Sequence, residues 1–162
     1  MKDFCIRPIR TGDNAAIASI IRSTLAEFGA NKPGTVYFEP TTDDLFNLFS
    51  IPGSAYFIAE VEGKIVGGSG LFPTKGLPEA CCELVKLYLL PEMRGQGLGL
   101  MLMEKCFQKA IDLGFSEMYL ETMPELRTAI GLYEKAGFTF LSGPMGQSGH
   151  FGCDLWMIKH LY

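Results

Sequence analysis

A glycine-rich segment in the middle of the chain separates a strand-like segment from a helix-like one. Residues 83–90 form an apolar run that predicts a β-strand, and residues 98–113 have the polar stripe and apolar face of an amphipathic helix. A further strand is predicted at 116–123. Because a helical crossover of this kind joins strands that run in the same direction, the sheet of this protein is expected to contain one parallel pair.

Before the strand at 83–90, the sequence predicts one strand, two helices and a hairpin. Residues 5–10 begin with the alternation of a short strand, and the helix that follows is expected to have Asp13 as its N-cap. Thr41 and Asp44 form a capping box that predicts a short second helix. Residues 62–64 provide a tight turn between two strands, which indicates an antiparallel hairpin.

After the strand at 116–123, a helix is predicted within residues 124–138, with Pro124 near its start and Gly137 just past its end. Two closing strands flank a glycine-rich loop at 143–152, and the apolar run at 153–158, in the second of them, is expected to support a homodimer edge. The predicted order is β-α-α-β-β-β-α-β-α-β-β. We expect an α/β (α+β) fold with a single domain over residues 1–162, in which a central mixed, mostly antiparallel sheet of about seven strands is flanked by four helices.

The composition of the chain excludes several classes of protein. With 48% hydrophobic and 20% charged residues, the chain is too apolar to be disordered. The formal net charge is −4 and no basic run occurs, which argues against a nucleic-acid partner. No apolar run approaches the ~20 residues of a membrane-spanning helix, and the N-terminus lacks the apolar core of a signal peptide, so no membrane association is expected.

The five cysteines are odd in number and include no C-x-x-C pair. This pattern favours free thiols over a disulfide framework or a zinc site, and we expect no bound metal. The predicted compartment is therefore the reducing cytoplasm. Cys153 lies three residues after His150, but it begins an apolar strand, so a cysteine nucleophile is not expected.

The glycine-rich segment reads MRGQGLG over residues 93–99. A strand that passes through glycines into a helix presents main-chain N–H groups without partners, and the helix dipole favours an anion there. Arg94 adds a positive charge. A P-loop would need a lysine after the last glycine, where Leu100 stands, and a dinucleotide fingerprint needs G-x-G-x-x-G in place of G-x-G-x-G. A glycine turn that binds nothing is the third alternative.

Residues 83–115 resemble the acyl-CoA-binding core of the GCN5-related N-acetyltransferases (GNAT family). In that family an R/Q-x-x-G-x-G/A loop joins the fourth strand to the third helix, and RGQGLG at 94–99 matches it. The resemblance also covers LYEKAGF at 132–138 and the hairpin EGKIVGG at 62–68. It extends in order and spacing over nearly the whole chain.

This resemblance implies acetyl-CoA as the co-substrate. The loop amides would hold its pyrophosphate, and its pantetheine arm would pair with the end of the fourth strand like an added strand. The implied cofactor-binding residues are Leu87, Tyr88, Leu89, Arg94, Gly95, Gln96, Gly97, Leu98 and Gly99. As a departure from the family pattern, Leu126 stands where many members have an asparagine that binds the cofactor.

The resemblance also implies two catalytic residues. Tyr133 matches a tyrosine near the thioester sulfur and is the predicted general acid. Glu83 matches a glutamate that in some members takes the amine proton, often through water, while Glu121 or ordered water alone stays open as the base. A main-chain N–H near Leu87 would stabilise the oxyanion.

The reaction implied is direct transfer of the acetyl group to a primary amine of a small molecule, an amino acid or a peptide. Loops 31–40 and 143–152 are expected to flank this acceptor, with Tyr37, Phe38 and His150 as candidate lining residues. The alternative function is a non-catalytic acyl-CoA-binding sensor or regulatory module.

Overall fold

One seven-stranded sheet organises the computed structural model, which describes residues 3–162. Its strands are β1 (Phe4–Pro8), β2 (Ala55–Val61), β3 (Lys64–Phe72), β4 (Cys81–Leu89), β5 (Glu117–Thr122), β6 (Thr139–Leu141) and β7 (Leu155–His160). The four α-helices within these residues are α1 (Asn14–Glu27), α2 (Leu45–Leu48), α3 (Leu98–Asp112) and α4 (Arg127–Lys135). The strand order is β1-β2-β3-β4-β5-β7-β6, and only β4 and β5 are parallel neighbours. The predicted order of elements, the mixed sheet and the parallel pair are confirmed.

The helices form a layer on each face of the sheet. Ile21 and Leu25 of α1 belong to the core on one face, and Met103 and Cys106 of α3 belong to the core on the other, together with Tyr133 of α4. Within residues 3–162, no helix combines the length and the apolar character that crossing a membrane requires.

The predicted turns are also present. Glu62 and Gly63 have φ angles of 51° and 79° and link β2 to β3, as the two-residue turns of tight hairpins require. Gly114 and Gly137 have φ angles of 93° and 100° and follow α3 and α4, where a left-handed residue ends a helix.

Asp13 occupies the N-cap position of α1, as predicted, but neither predicted cap forms its side-chain hydrogen bond, because other polar groups compete for these side chains. The Asp13 carboxylate makes no cap bond to α1; it accepts hydrogen bonds from the Arg7 guanidinium at 2.7 and 2.9 Å and from the Arg10 N–H at 2.7 Å. The capping box of Thr41 and Asp44 is absent as well. The amide oxygen of Asn14, on α1, accepts the Phe46 N–H at 3.0 Å.

Two predictions about the C-terminal part are corrected. Helix α4 begins at Arg127, three residues later than the proline suggested, because residues 123–126 form a turn closed by the Leu126 N–H and the Met123 carbonyl at 3.0 Å. Strand β7 is not a sheet edge, since it pairs with β5 on one side and β6 on the other.

Candidate active site

Strands β4 and β5 separate after a very short pairing. Cys81, Cys82 and Glu83 pair with residues 117–119, and no later residue of β4 in the described chain pairs with β5. Beyond Glu83, β4 stays with β3 while β5 follows β7. A cavity of about 330 Å³ lies where the two strands diverge, and both of them line it.

A β-bulge lies in β4 at the point of divergence. Lys86 has a φ of 55°, and the register with β3 shifts between the pairs Gly70–Val85 and Gly68–Tyr88. A bulge bends the strand that carries it. The Tyr56 hydroxyl donates to the Lys86 carbonyl at 2.7 Å, which holds this irregular backbone in place.

The glycines of the loop after β4 have two separate functions. Gly95 and Gly97 have φ angles of 74° and 82°, a left-handed conformation that side chains with a Cβ rarely adopt. Gly99 instead permits close helix contact, since a Cβ there would lie 2.8 Å from the Leu132 side chain.

This loop presents a series of free main-chain donors. The N–H groups from Gly95 to Leu100 donate to no acceptor within residues 3–162, and the first bond of α3 runs from the Met101 N–H to the Gly97 carbonyl at 3.1 Å. Gly95, Gly97, Gly99 and Leu100 border the cavity. Free N–H groups at the start of a 15-residue helix form an anion-binding arrangement.

The side chain of Arg94 lines the cavity, but its charge is paired. Its guanidinium binds the Glu27 carboxylate at 2.7 Å, donates to the Leu89 carbonyl at 3.0 Å and lies over the Phe28 ring at 5.1 Å. For contact with an anion, the loop therefore offers its free main-chain amides, whereas the predicted charge of Arg94 is already paired with Glu27.

The other predicted cofactor residues divide into two groups. Leu87, Tyr88 and Leu89 line the cavity. Gln96 and Leu98 do not: the Gln96 amide donates to the Glu92 carbonyl at 2.9 Å, and the Leu98 side chain is buried. Of Leu98, therefore, the main chain is what a ligand at the loop can contact.

The hydroxyl groups of Tyr133 and Thr122, at the cavity, have no hydrogen-bond partner within residues 3–162. Tyr133 is 8% exposed, packs edge-on against Phe138 at 5.9 Å, and its hydroxyl has no hydrogen-bond partner among residues 3–162. Burial raises its pKa well above the usual 10. Thr122, at the end of β5, is 2% exposed, and its Oγ1 has no partner in the described chain either. Sequence reasoning missed Thr122, because a threonine at a strand end carries no signal of its own.

Glu83 projects a buried carboxyl group into the cavity. It is 2% exposed and accepts a hydrogen bond from the Thr74 hydroxyl at 2.5 Å. Burial raises its pKa to about 7, and the neighbouring Glu121 carboxylate acts in the same direction. Glu121 itself accepts hydrogen bonds from the hydroxyls of Tyr119, at 2.7 Å, and Ser148. These bonds and His150 outweigh burial and lower the pKa of Glu121.

His150 joins the two loops that were expected to flank the acceptor. Its Nε2 contacts the Glu39 carboxylate, and its Nδ1 lies 3.5 Å from Glu121. Although burial opposes the charged form, hydrogen bonds to Glu121 and Glu39 raise the pKa of His150 to about 9. His150 therefore lines the cavity as predicted, whereas Tyr37 and Phe38 do not line it. Glu39 contributes from that loop instead.

Glu83, Glu121 and His150 offer ligand atoms within 4.8 Å of one another. Both nitrogens of His150 face carboxylates, and its raised pKa keeps the imidazole protonated near neutral pH. A protonated imidazole has no lone pair for a cation. We therefore assign no metal to this cluster.

Cys153 also lines the cavity, and burial raises the pKa of its thiol to about 12. The thiolate is the nucleophilic form, so this cysteine is inert at neutral pH.

A second cavity of about 240 Å³ shares a wall with the first. Glu83, Val85, Lys86 and His150 line both. The Lys86 ammonium lies 3.3 Å from the Glu39 carboxylate, in the wall between them.

Comparison with known proteins identifies the fold and the family. The family model of the acetyltransferase (GNAT) family matches residues 18–138. The chain is 41% identical over 158 residues to the uncharacterized N-acetyltransferase YjgM of Escherichia coli, covering 96% of this chain and 94% of that protein. It is similar to the crystal structure of a GNAT-family acetyltransferase from Staphylococcus aureus, with a TM-score of 0.86, 18% identity and coverage of 99% and 100% of the two chains. PaiA N-acetyltransferase of Thermoplasma acidophilum, solved in complex with coenzyme A, has a TM-score of 0.76, 19% identity and coverage of 98% and 99%. The chain belongs to the acetyltransferase (GNAT) family.

Proposed function

We propose that the protein is an N-acetyltransferase that moves the acetyl group of acetyl-CoA directly to a primary amine of a small molecule, an amino acid or a peptide. The observation that carries this proposal is the separation of β4 and β5 after Glu83. It places free loop amides, the Tyr133 hydroxyl and the Glu83 carboxyl around one cavity.

The donor site of this proposal is the loop and the unpaired side of β4. The N–H groups from Gly95 to Leu100 would bind the pyrophosphate of acetyl-CoA. The pantetheine arm would lie along Leu87, Tyr88 and Leu89, whose main chains have no strand partner on the β5 side in the described chain. The structural neighbour that binds coenzyme A has the same fold, which supports this assignment.

The two proposed catalytic groups belong to opposite faces of the sheet. Alternate residues of a strand share a face, so Glu83 lies on the face of Val85, which packs with the α1 side of the core. Tyr133 packs with Leu84 and Leu120 on the α3 side. The opening between β4 and β5 gives both side chains access to one cavity. Glu83 can therefore take the proton of the attacking amine while Tyr133 faces the sulfur of the thioester.

The charges around the opening support Glu83 as the base. Three carboxyl groups, those of Glu39, Glu83 and Glu121, meet two cationic groups, those of Lys86 and His150. The cluster is therefore neutral when one carboxyl group is protonated. Contacts with cationic partners outweigh burial and lower the pKa of Glu39, to about 2, and that of Glu121, whereas the pKa of Glu83 is about 7. Glu83 is therefore the carboxylate best suited to accept the amine proton near neutral pH.

An acceptor screen tests the proposed function directly. The protein is incubated with acetyl-CoA and a panel of amines, free thiol is recorded, and acetylated products are identified by mass spectrometry. Binding of acetyl-CoA with thiol release on at least one amine is the expected result. Tight binding without release over a broad panel would instead identify a non-catalytic acyl-CoA-binding module.

Replacing Gly97 by alanine is expected to weaken acetyl-CoA binding about tenfold, because the new Cβ would obstruct the approach of a phosphate to the loop amides. Its φ of 82° also predicts a stability loss of about 1 kcal/mol. Gly63→Ala is the matched control: Gly63 has a φ of 79° and open space around it, but lies in the β2–β3 turn. Calorimetric titration with equal affinity losses in both variants would rule out a specific role of Gly97.

Replacing Thr122 by valine is expected to raise the KM for acetyl-CoA about fivefold while leaving the melting temperature equal or higher. A buried hydroxyl without a partner is destabilising by about 1–3 kcal/mol, and a bound pantetheine amide would supply the missing hydrogen bond. Ser69→Ala, which removes a buried hydroxyl outside both cavities, serves as the control. A lower melting temperature with an unchanged KM would show that Thr122 is structural.

The proposed cellular location is the cytoplasm. All five cysteines are free thiols, and three of them are buried. Free thiols are typical of reducing compartments, which supports this location.

A further inference from the structure

We infer that the second cavity is the acceptor site and that its ligand is an apolar α-amino acid with a free carboxylate. This inference rests on the proposed function, because the cavity joins the reaction site through Glu83.

The position of the second cavity suits an acceptor. It lies on the other side of a wall formed by Glu83, Val85, Lys86 and His150, all of which also line the cavity proposed for the donor. A molecule in the second cavity would place its amine at the Glu83 carboxyl. No other group on this wall is a carboxyl group.

The inner surface of this cavity is largely apolar. Leu48, Phe49 and Phe72 line it, and the two phenylalanine rings meet edge-on at 5.7 Å. A volume of about 240 Å³ accommodates a single branched or aromatic side chain. A long polyamine such as spermidine would bring additional ammonium groups against this apolar surface, where burying a charge is costly.

One cation of the cavity lining, the exposed Lys75, is available to an anion beside the amine. Its lining holds two carboxyl groups, Glu39 and Glu83, and three cationic side chains, Lys75, Lys86 and His150. Lys86 and His150 both contact Glu39, whereas Lys75 forms no ion pair within residues 3–162. His150 also lies 3.5 Å from the Glu121 carboxylate, so Lys75 is the cation of this lining that has no carboxylate partner in the described chain. The carboxylate of an amino acid would balance Lys75.

The amine itself also matches the base. The α-amine of an amino acid has an ordinary pKa above the value of about 7.7–8.0 for a peptide α-amine, because the neighbouring carboxylate favours the ammonium form, but below the pKa of a lysine-type amine, about 10.4. Transfer of its proton to the Glu83 carboxylate, whose pKa is about 7, is therefore less uphill than it would be from a lysine side chain.

The test compares L-phenylalanine with L-phenylalaninamide, which keeps the ring and the amine and lacks the carboxylate. We expect kcat/KM for L-phenylalanine to be about tenfold higher, although the amine of the amide is the more easily deprotonated. Glycine, which lacks the apolar group, should be poorer than L-leucine or L-phenylalanine. Lys75→Gln should lower kcat/KM for L-phenylalanine about fivefold and leave the amide unchanged. Lys64→Gln, in the β2–β3 hairpin, is the control that should alter neither.

Calorimetric binding of L-phenylalanine to the coenzyme A-saturated protein separates the two proposals. Thiol release in which the amide is as good a substrate as the acid would overturn the inference and leave the proposed function standing. Binding of L-phenylalanine that Lys75→Gln weakens, without thiol release on any amine, would support the cavity assignment and overturn the proposed function. Neither binding nor release would overturn both.

Discussion

Replacing Glu83 by glutamine is expected to lower kcat for acetyl transfer by about 100- to 1000-fold, which lies within the range of about 10²- to 10⁴-fold that general bases contribute. The wild-type rate should fall as the pH drops through about 7, because Glu83 becomes protonated there. The Glu83→Gln variant should lose this acidic limb. Initial rates between pH 5.5 and 9 at saturating acetyl-CoA measure both effects.

The same variant should be more stable than the wild type in alkaline solution. Between its ordinary pKa of 4.5 and its folded pKa of about 7, Glu83 holds a proton only in the folded state, so stability falls as the pH rises through this window. Above pH 7 the destabilisation amounts to about 3 kcal/mol, and below pH 4.5 it vanishes. Glu83→Gln should therefore unfold at a higher temperature at pH 8 and at an unchanged temperature at pH 4.

Glu121→Gln distinguishes the two candidate carboxylates. Glu121 has a lowered pKa, and Tyr119, Ser148 and His150 hold its carboxylate in place. The Glu121→Gln variant should therefore change the rate through the position of His150 and keep the acidic limb of the pH–rate profile near pH 7. If Glu121→Gln removes that limb and Glu83→Gln retains it, the roles are reversed. If both variants retain it, water alone is the base.

Replacing Tyr133 by phenylalanine is expected to lower kcat about 100-fold while the Kd for acetyl-CoA changes less than about twofold. One oxygen is removed, and the effect of losing a single donor at a developing charge is of this size. The ring that packs against Phe138 stays, and the hydroxyl has no partner in the described chain whose loss would destabilise it. Single-turnover rates and calorimetry separate chemistry from binding.

The raised pKa of Tyr133 refines its predicted role as general acid. A thiol has an ordinary pKa of about 8.5, whereas the pKa of the Tyr133 phenol lies above its ordinary value of 10. Complete proton transfer from the phenol to the leaving thiolate would therefore be uphill. We expect Tyr133 to stabilise the leaving thiolate as a hydrogen-bond donor. Equal loss of kcat and acetyl-CoA affinity in Tyr133→Phe would mean that the phenol only supports binding.

Local patterns in the sequence were sufficient for the elements and for the position of the glycine-rich loop before α3. Periodicity and glycine positions predicted the strands, the hairpin turn and the start of α3, since these depend on neighbouring residues. The caps failed because Asp13 and Asp44 are engaged by groups that the local pattern does not include. Arg7 reaches Asp13 across the first turn, and Asn14 reaches the second helix from α1.

The candidate site could be predicted only in part. Glu83 and Tyr133 were found through the family resemblance, and the structure places both at one cavity. The contact between Glu39 and His150 spans 111 residues of chain, and the bulge at Lys86 depends on its pairing with β3. Such long-range features have no local signature, which is also why Thr122 and Lys75 carried no signal.

The short pairing of β4 with β5 has a mechanical consequence. The four strands β1 to β4 and the three strands β5 to β7 form two leaves of one sheet, joined by hydrogen bonds at only three residue positions of β4. A ligand arm that pairs along the open side of β4 would continue the short β4–β5 pairing and connect the two leaves. In its absence, this pairing and that of β6 with β7 are the shortest of the sheet in the described chain, at three residue pairs each, and only the former joins the two leaves, which should separate there under mechanical load.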